Sequence, residues 1–234
     1  MKNFHYIFWT KYYEHKYRAK NEENIIYMFH EIVDEKTNPK EFKTNKESFE
    51  IFLKNILDIK KAVSLEDIVK NKENGYFTIT FDDVYKNFYT NAYHILRKYN
   101  IPFTLFISPG LMGKKGFLSK KELEILSKDK LCTIGAHTIN HVRLRTEKNS
   151  YEEIKKSKEI LEKILNKEVR YFAYPYGSIY ACSNKNIKEV KKIGFEAAFS
   201  TIRGTVPKNI DKYKYFLPRV NGDHVVKEIE ERRE

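Results

Sequence analysis

Seven short runs of mostly apolar, strand-forming residues recur along the chain: Ile25–His30, Phe77–Phe81, Phe103–Ile107, Leu131–Ala136, Val169–Ala173, Phe195–Ser200 and Phe216–Val220. Several are continuously apolar, the pattern of strands buried on both faces. Between them the spacing changes to that of amphipathic helices, at Phe49–Leu57, Asn87–Tyr99, Lys120–Ser127, Tyr151–Leu165 and Asn184–Ile193. Ser48 is placed to cap the first of these helices, and Ser150 with Glu153 makes a capping-box pattern for the fourth. Seven strands alternating with helices predict a parallel sheet closed, or nearly closed, into a (β/α)7-type barrel, a single α/β domain, with an open doubly wound sheet as the alternative. A length of 234 residues supplies ample material for one such core. No internal repeat or low-complexity linker divides the chain, so the domain is drawn at 25–234 behind an aromatic and basic segment at 1–24.

The polar residues of chemical interest fall at the C-terminal ends of these runs: His30, Asp82 and Asp83, His137, Pro175–Tyr176 and Arg219. In parallel β/α folds catalytic groups collect on that rim. An isolated Asp-Asp pair is most often a turn or a helix cap. Here it closes the apolar run TITF, and His137 and His141 follow downstream in HTINH. A gap of four places both imidazoles on one face of a helical turn, with the Thr138 hydroxyl free to anchor the loop. One carboxylate and two imidazoles leave a divalent metal with open positions, which is what metal-assisted hydrolysis requires. The second carboxylate is then free to act as a base. In YFAYPYG, Pro175 and Gly177 set a turn after a strand; its aromatics can wall a sugar site, and a backbone N–H there can donate to an oxyanion. The same pattern also fits an ordinary turn.

Composition changes this picture only at the edges. A net charge of +12 favours anionic surroundings, but the basic residues are spread along the chain and no nucleic-acid motif accompanies them. The two cysteines, Cys132 and Cys182, form no metal-type pair and no disulfide framework. The apolar stretch Tyr6–Trp9 is too short for a signal peptide, so a cytoplasmic location is expected. In the first 20 residues Phe4, Tyr6, Phe8, Trp9, Tyr12, Tyr13 and Tyr17 interleave with lysine and arginine. Two readings of that segment stay open: packing across the barrel's end, or peripheral contact with an anionic membrane at the inner leaflet.

These residues together resemble the polysaccharide deacetylase family, also called the NodB-homology domain or carbohydrate esterase family 4. TFDD is similar to its first motif, HTINH to its H-[ST]-x-x-H second motif, and the PYG ending at Gly177 to its third, within a resemblance running from about Ile25 to Val220. The resemblance implies a distorted barrel and hydrolysis of an N-acetyl group, rarely an O-acetyl group, from a sugar. It implies Asp82 as general base and Asp83, His137 and His141 as ligands of a divalent metal, usually zinc, sometimes cobalt or nickel. The Tyr176 backbone N–H would help hold the oxyanion, with Pro175, Tyr176 and Arg219 on the substrate's side.

Three departures matter. Ala173 stands where many members carry an arginine that orients the base; Arg170 lies too far upstream, which leaves Arg219 of LPRV as the candidate replacement. The late Leu-x-His that supplies the general acid is absent, and His224 is near but out of pattern. YMFHEI resembles the YHxI opening of the subgroup containing poly-N-acetylglucosamine deacetylases, as do SFEIFLKNIL and AVSLEDI, and this assigns the acid to His30. The competing view of His30 is a packed histidine at a strand end. The expected function is metal-dependent removal of N-acetyl groups from an amino sugar in a polysaccharide, a glycolipid or a biosynthetic sugar intermediate. The alternatives are a related C–N hydrolase of formamides or small cyclic amides, and a non-catalytic carbohydrate-binding module on the same fold.

Overall fold

Each of the seven apolar runs forms a strand, and the strands join edge to edge, all parallel, in one closed ring. The structure, a computed structural model, describes residues 23–35, 42–70 and 73–231. Residues 1–22, and with them both readings of the N-terminal segment, packing across the barrel's end and contact with an anionic membrane, lie outside the described residues. The strands are β1 (Ile25–Phe29), β2 (Glu31–Val33), β3 (Lys43–Asn45), β4 (Lys61–Ala62), β5 (Tyr76–Phe81), β6 (Phe103–Ile107), β7 (Cys132–Ala136), β8 (Tyr171–Ala173), β9 (Ala197–Arg203) and β10 (Leu217–Asn221). The ring runs β1-β10-β9-β8-β7-β6-β5 and closes where β5 pairs back onto β1, from Ile25 opposite Phe77 to Phe29 opposite Phe81. β4 adds to the flank of β5, and β2 and β3 pair with each other outside the ring.

Alternation along the strands separates two cores. Tyr27 and Phe29, Ile79 and Phe81, Phe103 and Leu105 pack outward beneath the helices, while Ile26, Phe106, Tyr171, Phe199 and Leu217 form a second cluster within the barrel. At the inward position on β7, a Cβ on Gly135 would lie 2.5 Å from the Phe106 ring, so the absent side chain is what gives that ring its place. The helices are α1 (Lys46–Leu57), α2 (Leu65–Lys70), α3 (Tyr93–Lys98), α4 (Lys120–Leu126), α5 (Ser150–Leu165), α6 (Asn184–Ile193), α7 (Ile210–Tyr213) and α8 (Gly222–Glu231). α2 buries Leu65, Ile68 and Val69 on the interior cluster, and its Glu66 binds Arg170 just ahead of β8. That contact puts α2 at the strands' N-terminal end and leaves the opposite end open for chemistry.

Several local expectations are corrected. α1 is capped by Asn45, whose side chain accepts from the Glu47 and Ser48 backbone N–H groups, so Ser48 lies inside the helix. No capping box forms at α5: the Ser150 hydroxyl turns to the Glu189 carboxylate, and Glu153 serves the histidine turn described below. The helix expected over Asn87–Tyr99 begins as a wide π-type turn, Phe88–Ala92, in which the buried Asn91 donates to the Ile32 carbonyl. Both cysteines are free.

Candidate active site

The alternation that aims Thr78 and Thr80 inward continues to Asp82, whose backbone N–H still bonds Phe29 across the β1–β5 ladder. The strand then breaks. Asp83 and Val84 take left-handed φ angles of 62° and 49°, and this abrupt turn brings two consecutive carboxylates to one place instead of opposite faces. His137 lies close enough to act on the charge of both.

Asp82 is almost fully buried and paired with Arg219 of β10. The arginine is itself buried and inward-facing, Nη1 donating to Oδ1 at 2.7 Å and Nη2 to Oδ2 at 2.6 Å. Its Nε donates to the Ser200 carbonyl and Nη1 also to the Thr80 hydroxyl, so the guanidinium is fixed at three corners. Burial by itself would raise the Asp82 pKa, but the charge and hydrogen bonds of Arg219, with the charges of His137 and His30, outweigh it and hold the carboxyl below its ordinary value. Arg219 therefore sits within its strand, holding Asp82; its fork is spent on that carboxylate and is closed to substrate, contrary to a substrate-contact role. Ala173, the position where an arginine was looked for, faces the interior cluster, and Arg170 is at the far end of the barrel on Glu66.

Asp83, His137 and His141 offer three ligand atoms within 4.8 Å of one another. Asp83 Oδ1 lies 3.0 Å from His141 Nε2 and 3.5 Å from His137 Nε2. Burial alone would raise Asp83, yet the two imidazoles hold it well below the ordinary carboxylate range, so it stands ionised. His137 Nδ1 donates to the Ala173 carbonyl at 2.8 Å, which fixes its tautomer and turns Nε2 toward the carboxylate. An ionised Asp83 facing two imidazole nitrogens calls for positive charge between them. Its Oδ1 is buried without a hydrogen bond, so a divalent cation fits the residues present.

The histidines do not lie on a helix as expected. Residues 137–141 form a turn in which Thr138 and His141 have φ of 60° and 55°. Glu153 of α5 ties that turn down, accepting from the Ile139 and Asn140 backbone N–H groups at 3.0 Å each and from the Asn140 amide at 2.8 Å. The Thr138 hydroxyl accepts from the Val142 N–H, which anchors the loop as its sequence suggested.

On the β8 side Pro175 is buried and Tyr176 is exposed. Tyr176 has φ 59°, and a Cβ on Gly177 would meet the Thr201 backbone nitrogen at 2.4 Å, so only glycine lets β9 approach this closely. Across the mouth His30 follows β1. Its Nδ1 lies 3.2 Å from Asp223 Oδ2, and Asp223, buried at the start of α8, takes a second hydrogen bond from the Thr44 hydroxyl at 2.5 Å. Burial lowers the His30 pKa, but the Asp223 hydrogen bond and charge, with the charges of Asp82 and Asp83, more than reverse this, and the pKa stands above 6.5. His224 points to solvent beside Phe42. The sequence reading missed Asp223 and Glu153. Asp223 follows a strand as closely as the residues it did find, while Glu153 was hidden by its resemblance to a helix-cap residue.

The fold and rim define a (β/α) barrel with acid–base groups gathered beside a cation-type cluster. The chain belongs to the polysaccharide deacetylase family, matched over residues 69–198. It is 32% identical over 180 residues to the poly-β-1,6-N-acetyl-D-glucosamine N-deacetylase of Staphylococcus epidermidis, covering 68% of this chain and 61% of that protein. The protein of the same name from Staphylococcus aureus MRSA252 is 31% identical, with 68% and 60% covered. The chain thus spans about three fifths of the length of these curated relatives. Among solved structures, a polysaccharide deacetylase from Bacillus cereus superposes with a TM-score of 0.77 at 28% identity, covering 89% of this chain and 68% of that one. IcaB from Ammonifex degensii shares the fold, with a TM-score of 0.75 at 20% identity over 88% and 96% of the two chains.

Proposed function

We propose that this chain is a metal-dependent N-deacetylase that hydrolyses the acetamido groups of a poly-N-acetylglucosamine glycan. The observation that carries the reading is the meeting, on one rim, of the arginine-held Asp82, the Asp83–His137–His141 cluster and the Asp223-bound His30. The names of the staphylococcal relatives support the substrate class.

Asp83, His137 and His141 would hold the metal, zinc as the first choice and cobalt or nickel as substitutes. When bound, such a cation supplies Lewis acidity toward the acyl oxygen and makes water a stronger acid. Asp82 accepts the proton of the attacking water. Arg219 trades some of its basicity for a fixed orientation and a guaranteed ionised state, since a carboxylate buried without a counter-charge would itself take up a proton. The Tyr176 N–H donates to the developing oxyanion. His30, whose pKa is raised by the Asp223 hydrogen bond and charge, delivers its proton to the departing sugar nitrogen, so acetate leaves and a free amine remains. Metal content by elemental analysis, run beside acetate release from N-acetylglucosamine oligomers and sugar nucleotides, tests the reading. A metal-loaded protein that releases no acetate from any of them overturns it.

A further inference from the structure

Among the described residues, the large exposed hydrophobic side chains include just two aromatics, Phe42 at 55% exposure and Tyr176 at 51%, and both are on the catalytic rim. An exposed phenylalanine is ordinarily free to rotate and offers nothing polar to water. Phe42 is instead held beside two imidazoles from different elements, its centroid 5.0 Å from that of His30 and 6.3 Å, nearly parallel, from that of His224. Tyr176 is held in the same way on its side of the mouth, 4.8 Å from the His141 ring and with the Arg143 guanidinium 4.8 Å above it. His30 follows β1 and Tyr176 follows β8. In the ring β1-β10-β9-β8-β7-β6-β5 these two strands are three steps apart one way and four the other, as far apart as seven strands permit. Seven strands about 4.8 Å apart and tilted about 40° enclose a mouth roughly 14 Å across, wider than one sugar ring.

We propose that Phe42 is a substrate-contacting residue, an aromatic platform for a sugar ring on the acid's side of the mouth. Tyr176 is its counterpart beside the metal-type cluster, so that a glycan strand of more than one sugar lies across the barrel between the two. A flat, apolar face that is exposed yet already ordered suits the C–H-lined face of a pyranose, because binding then costs little side-chain entropy. The proposal rests on the deacetylase reading and extends it from the reacting sugar to its neighbours.

The test uses β-1,6-linked N-acetylglucosamine oligomers of one to five units with wild type, Phe42→Ala and Phe42→Trp, measuring acetate release and, by calorimetry, binding of the pentamer. In wild type kcat/KM should climb with oligomer length. Phe42→Ala should raise KM for the longer oligomers roughly five- to tenfold, the weight of one lost aromatic contact, with kcat kept within about twofold. Phe42→Trp should restore KM. A fall in kcat at unchanged KM would mean that Phe42 only aligns His30, and equal kcat/KM for monomer and pentamer would mean that no strand crosses the mouth; either result overturns the proposal. If wild type releases no acetate but Phe42→Ala still weakens pentamer binding, the platform stands and the deacetylase reading falls.

Discussion

Arg219 offers the sharpest perturbation because its role can be separated into charge and geometry. Arg219→Met removes two hydrogen bonds to Asp82, one to Thr80 and one to Ser200, and strands a buried carboxylate. Breaking one side of a buried ion pair costs about 3–5 kcal/mol, a large share of the roughly 5–15 kcal/mol that holds a typical domain folded. The protein can limit that cost by protonating Asp82. Wild-type Asp82 titrates below its ordinary 3.8, so the pair's stabilisation is present at pH above that value and is lost as pH falls through the depressed one. In Arg219→Met burial is opposed only by the charges of His137 and His30, so the Asp82 pKa rises and the ionised carboxylate is lost at a higher pH than in wild type. The acidic limb of kcat should then move to higher pH, and turnover at neutral pH should drop by up to the full worth of a positioned base, roughly 10²- to 10⁴-fold. Arg219→Lys keeps the charge but cannot bridge both carboxylate oxygens; its acidic limb should stay low while kcat falls. The assays are kcat for acetate release against pH and thermal unfolding at two pH values. A Met variant with wild-type kcat and an unmoved acidic limb would refute the assignment of Asp82 as base and of Arg219 as its holder.

Replacing His137 or His141 by Ala should abolish metal retention and activity together, since two ligands compete poorly with water; full occupancy after dialysis would place the metal elsewhere. Asp82→Asn should keep the metal and cut kcat roughly 10²- to 10⁴-fold, whereas loss of metal would mean that Asp82 and Asp83 have exchanged roles. His30→Ala should remove the alkaline limb of the pH profile, and Asp223→Asn should move that limb to lower pH, because the partner that raises the His30 pKa is gone. His224→Ala should leave the alkaline limb in place; its disappearance would transfer the acid's role to His224.

The barrel was legible because its signals are local and repeated. Seven apolar runs gave seven ring strands, with Phe103–Ile107 and Asn184–Ile193 matching to the residue. The rim could be read for the same reason, since a polar residue directly after an apolar strand has few other places to go. What escaped depends on contacts across the chain. Asp223 meets His30 193 positions away because β10, which it follows, adjoins β1, and no local pattern records that. Glu153 is a good cap residue by its neighbours and an anchor of the histidine turn by its fold. The helical geometry expected of HTINH failed because a spacing of four fixes separation along the chain and says nothing of backbone sign.

That backbone sign is the site's own mark. Seven non-glycine residues have positive φ among the described residues. Two are asparagines, Asn100 and Asn166, just past helix ends where the left-handed conformation is common. The other five are Asp83, Val84, Thr138, His141 and Tyr176, all on the three loops that carry the cluster and the proposed oxyanion donor. For β-branched Val84 this conformation is costly, and it is tolerated because the turn delivers Asp83 beside its partners. The cost can be measured by comparing Val84→Ala with Val84→Gly. In extended backbone glycine is worse than alanine by roughly 0.5–1 kcal/mol, plus about 0.8 kcal/mol for the extra buried carbon. At φ 49° alanine carries a left-handed penalty of about 1–2 kcal/mol that glycine escapes, so the two variants should unfold at nearly the same stability. Turnover should fall further in Val84→Gly, where nothing holds the turn in the conformation that presents Asp83. A glycine variant more than about 1.5 kcal/mol less stable than the alanine variant would show that no strain resides at Val84.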